Sequence, residues 1–452
     1  MKFKLILLVT LLLSLNTIQA QEDPPVPTNE QYAQALISAL GSAGPRLNQS
    51  VRVLAAYCGT EEFFFTGLGG NCDRLYFAAL QGDGDVVKRV LRRLRPREVV
   101  QQSRTSTDIV ATQQSNIASR MSQVRAGVTN SIAGLSFSAN GKNIPLEMLS
   151  YLSEQNDPDS KDNIDQLFSP WGFFITGQIS SGDYEYGDAR DEGFDFDTQG
   201  ITAGFDYRLN NKTVIGVALG YSDFDSEVNT GAILESKALT FSAYGSFNVT
   251  DNFYIDARAS FGNPDFNQQR SVDFTLQNNQ TNKTAIGETD GSQKSFIITS
   301  GYQFNKNGWQ FTPSVSAEYY KSNIDAFVET GADAFNIEYS EQNFETTRFT
   351  AGFQANKAIS LSNGVLIPSM GYQFVHENQN GDDVVLMRVT GMPSGECFES
   401  STSFNDGDYS LLDIGLSFVA SNGKQAFIQY SKAIGWEGFD KNTLNIGARF
   451  EF

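Results

Sequence analysis

Histidine occurs once in this chain of 452 residues, at His376, and cysteine three times, at Cys58, Cys72 and Cys397. A single imidazole excludes any centre that needs two, and a Ser-His-Asp or Asp-His arrangement would have to be built on His376 alone. Residues 22–126 hold no histidine and no G-x-S-x-G motif, and Gly82-Asp83-Gly84 lacks the serine of a GDS-type esterase. Beyond Leu15 there is no run of the ~18 or more consecutive apolar residues that a transmembrane helix needs, so only a closed β-barrel could carry the chain across a bilayer. Basic residues are outnumbered, 33 against 52 acidic, for a net charge of -19. Nucleic acid is excluded as a partner, because a phosphate backbone is held by clustered cations.

What is present starts with Met1-Lys2-Phe3-Lys4, an apolar stretch from Leu5 to Leu15 and a small residue at Ala20. That is the pattern of a signal peptide, expected over 1–20, and it implies export. Forty glycines, 35 phenylalanines and 17 tyrosines fit strands that alternate apolar and polar residues, in a membrane barrel or a soluble β-sandwich.

From Trp171 the period is two. Trp171, Phe173, Ile175 and Ile179 share one face, Phe174, Thr176 and Gln178 the other. The same alternation places Ile201, Ala203, Phe205 and Tyr207 against Thr202, Gly204, Asp206 and Arg208, and it continues to Leu444, Ile446, Ala448, Phe450 and Phe452. About twelve segments follow, an even number, with polar residues on the face that would line a lumen. Short turns (Asn210-Asn211, Thr250-Asp251-Asn252, Asn305-Lys306-Asn307, Ser362-Asn363-Gly364, Ser421-Asn422-Gly423) alternate with long polar loops over 182–196, 224–236, 264–292, 322–344 and 378–407. One rim of turns and one of loops is the arrangement of an outer-membrane barrel, expected over 170–452; a Greek-key sandwich has no reason to keep it.

Residues 21–98 read as a small helical region. One helical stretch runs through Tyr32, Leu36, Leu40, Leu47, Val51 and Leu54, and a second through Leu75, Leu80, Val86, Val90, Leu91 and Leu94 before Pro96. Cys58 and Cys72, fourteen residues apart in an exported chain, are expected to form a disulfide worth about 3 kcal/mol, in preference to a metal pair, which would lack further Cys or His nearby. Cys397 is left over, free or paired between chains. The basic run Lys88 to Arg97 reads as a solvated helix face or as a contact for anionic lipid or lipopolysaccharide. A third helix, 99–126, is polar around most of its circumference, with Val110, Ile117, Met121 and Val124 on a thin stripe. At 1.5 Å per residue it reaches roughly 40 Å, the height of a bilayer, and suits a polar lumen. Residues 127–169 form a linker.

The stretch Gln114-Ser115-Asn116-Ile117-Ala118-Ser119-Arg120-Met121-Ser122-Gln123-Val124-Arg125-Ala126-Gly127, the strand array and the terminal Asn445-Ile446-Gly447-Ala448-Arg449-Phe450-Glu451-Phe452 resemble the autotransporter (type V secretion) family. Its C-terminal translocator domain is a twelve-stranded barrel threaded by a helix that leads to an N-terminal passenger. The family's linker pattern falls on Asn116, Arg120 and Val124-Arg125-Ala126-Gly127, and the terminal aromatic resembles the assembly signal of outer-membrane barrels, here Phe450 and Phe452. The resemblance implies a cell outer membrane location in a Gram-negative bacterium. It implies as partners outer-membrane lipid and lipopolysaccharide, the barrel assembly machinery and periplasmic chaperones. The chain departs from the family in lacking Gly/Asn-rich repeats before the barrel and an Asn-Asn pair in the helix.

No catalytic, cofactor or metal site is expected. His376 falls at the outer end of the ninth strand, in phase with the lipid-facing residues, and Asp188, Asp191, Glu192, Asp382 and Asp383 lack the spacing of a calcium loop. The expected fold is all-β, a twelve-stranded antiparallel transmembrane barrel with a lumen helix, preceded by a small α-helical region. The expected role is an autotransporter-like barrel that displays, or is plugged by, its helical segment. The alternative is a surface adhesin or receptor, or a channel, using the long acidic loops toward an unidentified extracellular ligand.

Overall fold

A computed structural model describes the chain except residues 1–24, 42–44, 95–97, 129–136, 140–141, 145–169, 186–192, 211, 229–230, 382–383, 391, 393–396, 402–406, 421–423, 437 and 452. The segment expected as a signal peptide, the carboxylates at 188, 191, 192, 382 and 383, and Phe452 lie outside the described residues.

Helices come first among the described residues: α1 (Asn29–Leu40), α2 (Pro45–Cys58), α3 (Cys72–Leu80), α4 (Gly84–Leu94) and α5 (Glu98–Val128), with one further helical turn at Gly67–Gly70 between α2 and α3. Thr28 opens α1 with a capping box, its hydroxyl accepting from the Gln31 amide while the Gln31 side chain accepts from the Thr28 amide. The two helical stretches expected between Glu30 and Leu94 are each divided. Leu80 and Val86 do not share a face: Gly82 at φ 83° ends α3, a left-handed conformation that favours glycine, and Leu80 is left 59% exposed. On α4, Val87, Val90, Leu91 and Leu94 are buried, and Lys88 and Arg89 face solvent.

Twelve antiparallel strands close into a barrel: β1 (Trp171–Tyr184), β2 (Phe194–Asn210), β3 (Thr213–Val228), β4 (Ile233–Asn248), β5 (Phe253–Leu276), β6 (Asn279–Tyr302), β7 (Trp309–Ile324), β8 (Gln342–Lys357), β9 (Gly364–Gly381), β10 (Asp408–Ala420), β11 (Gln425–Ile434) and β12 (Phe439–Glu451). Each pairs with the next, and β12 returns to β1 with Ile446 opposite Gly177 and Phe450 opposite Phe173. Closure leaves no unpaired edge, which a lipid-exposed sheet requires. At the short-turn end, Trp171 packs on Tyr207 with centroids 4.7 Å apart and Phe311 on Phe353 at 5.8 Å, an interfacial aromatic belt.

Several stretches expected as loops are strand. β3 and β4 run to Val228 and from Ile233, and nearly all of 264–292 belongs to β5 and β6, which meet at a tight turn where Gln277 has φ 53°. Phe327–Val328, Ile337–Tyr339, Val384–Val389 and Phe398–Ser401, from the two later loops, form a separate four-stranded antiparallel sheet. These stretches look polar because the hydrophobic phase inverts. In β5 the outward residues are Ile255, Ala257, Ala259 and Phe261 near the turns but Asn263, Asp265 and Gln269 beyond, while the buried inward ones pass from Asp256, Arg258 and Ser260 to Phe266, Val272, Phe274 and Leu276. A strand keeps its parity; the apolar medium changes sides. Lipid lies outside the lower wall and water within it, whereas the taller wall has water outside and a protein core within.

That core is shared. Tyr32, Leu36, Leu54, Phe64, Leu75, Val90 and Leu91 of the helical region pack in one cluster with Val272, Phe274 and Leu276 of β5, with Ala285 of β6, and with Phe335, Tyr339, Met387 and Phe398 of the small sheet and its connections. The helices therefore form a cap seated on the tall hairpin and sheet, at the end opposite the short turns.

Candidate functional site: the occupied lumen and its cap

α5 descends from the cap through the barrel. Near its top, Gln101 donates to Ser226 Oγ (2.8 Å) and Gln102 to Gln268 Oε1 (3.0 Å). Midway, Gln113 donates to Ser242 (3.1 Å) and accepts from Thr202 (2.7 Å), and Gln114 donates to Ser260 and Ser295, both at 2.7 Å. Buried polar groups carry a free-energy penalty unless paired, so this ladder of amide and hydroxyl contacts is what makes a polar helix stable inside a polar wall.

Two of the residues singled out in the linker pattern enter this ladder. Asn116 donates to Thr202 Oγ1 (3.0 Å), and Arg120, with no exposed side-chain surface, donates through Nε to Asp206 Oδ2 (2.6 Å). Tyr244 also donates to that carboxylate, and the guanidinium lies 5.4 Å from the centre of the Phe174 ring. Arg125 lies in α5, with its side chain outside the described residues; Phe450 is placed by its backbone pairing.

The helix is off-centre because glycines on the inner face of β2 and β3 let it approach. A Cβ at Gly200 would stand 2.6 Å from Thr112 Cγ2, and one at Gly220 would overlap the Gln113 amide. On the far side α5 presents Ala111, Ser115, Ala118, Ser119 and Ser122, leaving a polar cavity of 360 Å³ against Ser314, Ser316, Thr350, Gln373, Asp413 and Ser431. Arg348 bridges Glu318 (3.1 Å) and Glu377 (2.7 Å) on that wall.

The cap is tied down by polar contacts as well as by its core. Cys58 and Cys72 form a disulfide with Cα atoms 5.2 Å apart, and Cys397 carries none. Arg270 of β5, buried, pairs with the fully buried Glu329 (2.5 Å) and donates to the carbonyls of Phe335 (2.8 Å) and of Arg93 at the end of α4 (3.2 Å). One guanidinium thus joins hairpin, loop and cap. Tyr32 donates to the Cys72 carbonyl (2.7 Å), and burial, reinforced by Asp73, holds its phenol well above its usual value. His376 lies on the outer surface with Nδ1 2.6 Å from Asp408.

The linker pattern left out Gln101, Gln102, Gln113, Gln114, Arg270 and Glu329. The inward glycines and the inverted phase of Phe194 and Phe196 relative to Ile201 and Phe205 are the sequence signals that mark the helix groove and the cap seat.

The chain matches the family described as autotransporter beta-domain over residues 173–431, more than half its length, and belongs to that family. It resides in the outer membrane of a Gram-negative bacterium, as a barrel that carries its N-terminal helical segment. Outer membrane protein B of Rickettsia japonica is 26% identical over 191 residues, which is 41% of this chain and 12% of that protein. Esterase EstA of Pseudomonas aeruginosa is 24% identical over 246 residues, 53% of this chain and 36% of that protein. The chain therefore spans well under two thirds of the curated relatives it matches. Among solved structures, the translocator domain of the autotransporter NalP from Neisseria meningitidis aligns with a TM-score of 0.49 at 17% identity, covering 68% of this chain and 94% of that one.

Proposed function

We propose that residues 21–98 are a short passenger that stays attached on the cell surface as a lid, with 99–126 as its tether and lumen plug, 127–169 as a linker and 170–452 as the translocator. The observation that carries this reading is the shared core: the helices bury their apolar faces against Val272, Phe274 and Leu276 of the barrel's own hairpin. A passenger built for release would close its core on itself. The inverted hydrophobic phase puts the cap on the side away from the short turns, where both ends of the barrel lie.

The role is occlusion and display, with no catalytic step; residues 22–126 offer neither a histidine nor a nucleophile motif. Insertion uses the barrel assembly machinery and periplasmic chaperones, with Phe450 and Phe452 as the terminal signal, and lipopolysaccharide surrounds the outward belt. Asn116 and Arg120 act as the polar residues that seat the helix.

Single-cysteine labelling of intact cells tests this. In a background without Cys58, Cys72 and Cys397, Gln81→Cys in the cap is expected to react with a membrane-impermeant maleimide, and Asp251→Cys in a short turn only after lysis. Labelling of Asp251→Cys but not Gln81→Cys on intact cells would reverse the orientation and remove the display reading.

A further inference from the structure

In a chain of net charge -19, four cations crowd onto six residues of α4: Lys88, Arg89, Arg92 and Arg93. Arg89 and Arg93, one helical turn apart, line an open cleft of 480 Å³ between α4 and the tip of the β5–β6 hairpin, the size range of small-ligand sites. Its other walls are Phe274, Asp273 and the hydroxyls and amides of Ser271, Thr275, Gln280, Thr281 and Asn282, which suit sugar hydroxyl groups. Asp273 is the one carboxylate in the lining and is engaged by Arg93 at 3.1 Å. Arg89 is exposed and has no ion-pair or hydrogen-bond partner among the described residues, as is true of Lys88 beside it. The cleft thus holds an uncompensated guanidinium above a polar floor.

We propose that this cleft binds an acidic oligosaccharide, with Arg89 holding a sulfate or carboxylate group and the hairpin tip holding neighbouring hydroxyls. A guanidinium fork matches such oxyanions, and the ring of amide and hydroxyl groups selects a carbohydrate over a bare ion. Lipid headgroups are out of reach. Asp273 lies twelve residues beyond Phe261, the last outward apolar residue of β5: roughly 40 Å along the strand, or about 30 Å of height at a tilt near 40°. The site is of use only with the cap outside the cell and so rests on the display reading. Binding by the purified chain tests the cleft and intact-cell labelling tests display, so the two fail separately.

The experiment is titration of the purified full-length chain, in non-ionic detergent micelles, with dextran sulfate and with uncharged dextran. Dextran sulfate is expected to bind and uncharged dextran not to. Arg89→Glu is expected to weaken binding by about tenfold or more, the loss of one charge-assisted hydrogen bond, and Thr275→Ala by about two- to threefold. Lys212→Glu, on an exposed cation of a short turn at the opposite end, is expected to change nothing. Arg89 is exposed and makes no hydrogen bond or ion pair among the described residues, so its variant is expected to fold, which heat-modifiable gel mobility checks. Unchanged binding in Arg89→Glu, an equal loss in Lys212→Glu, or equal binding of uncharged dextran each overturns the proposal.

Discussion

Arg120 of the lumen helix and Asp206 of the barrel wall form an ion pair with side-chain exposures of 0% and 6%. Two ions removed from water are stable only when each supplies the other's charge, and here Tyr244 adds a hydrogen bond to the Asp206 carboxylate. The pair fixes the depth of the helix, because a shift of one turn would leave both charges buried and alone.

Asp206→Ala is therefore expected to loosen α5 by about 3–5 kcal/mol, since it strands the guanidinium. Single-channel recording in planar bilayers should show larger or more frequent openings than in the unaltered protein. The double change Arg120→Met with Asp206→Leu should be milder than Asp206→Ala. A double variant leakier than the single one would mean that the pair does not seat the helix.

Gly220→Val tests the close approach directly. The side chain would occupy the space of the Gln113 amide, and overpacking of this kind costs about 1–3 kcal/mol. Faster protease cleavage within 98–128 is the expected readout. Gly177→Ala is the control, because its Cβ would meet nothing nearer than 3.9 Å; it should behave as the unaltered chain.

Replacing Cys58 and Cys72 by serine removes a cross-link over fourteen residues and is expected to lower cap stability by about 3 kcal/mol. The barrel should keep its heat-modifiable mobility while the cap becomes sensitive to protease, as it should in the unaltered protein under reductant. Equal resistance with and without reductant would show that the shared core alone holds the cap.

Alkaline pH should act on the cap through Tyr32. Its folded value lies above the ordinary 10.0, so between the two the unfolded chain has lost a proton that the folded one retains. Stability is full below about pH 10 and falls as pH rises above it. Ultraviolet difference titration of the folded protein should show one phenol that ionises only as the cap opens. Tyr32→Phe should flatten this loss while costing about 1 kcal/mol at neutral pH, because the Cys72 carbonyl loses its donor. A phenol at position 32 that titrates freely near pH 10 would sink the account.

The barrel was legible because its code is local. A period of two over nine to eleven residues, turn chemistry at Asn210, Asn252, Asn307 and Asn363, and a polar second face need only nearest-neighbour geometry. The polar helix, expected over 99–126 and observed over Glu98–Val128, was legible for the same reason, whereas Asn116 and Arg120 were marked only by the resemblance to the family's linker pattern. The length of β5 and β6 was not legible. A search for outward apolar residues ends at Phe261, where lipid stops, although the strand continues for fifteen residues to Leu276.

By itself the sequence determined the membrane barrel, its strand parity and the pairing of Cys58 with Cys72, each set by residues within a short span. The tertiary structure decided where the helices go. The core partners Leu91 and Phe274 lie on separate elements, as do the ion partners Arg270 and Glu329, and Gln113 meets Gly220 only after the barrel has closed. Such contacts depend on how far β5 rises and where the wall thins to glycine, which no local pattern encodes, because the free energy of burial belongs to pairs of distant surfaces.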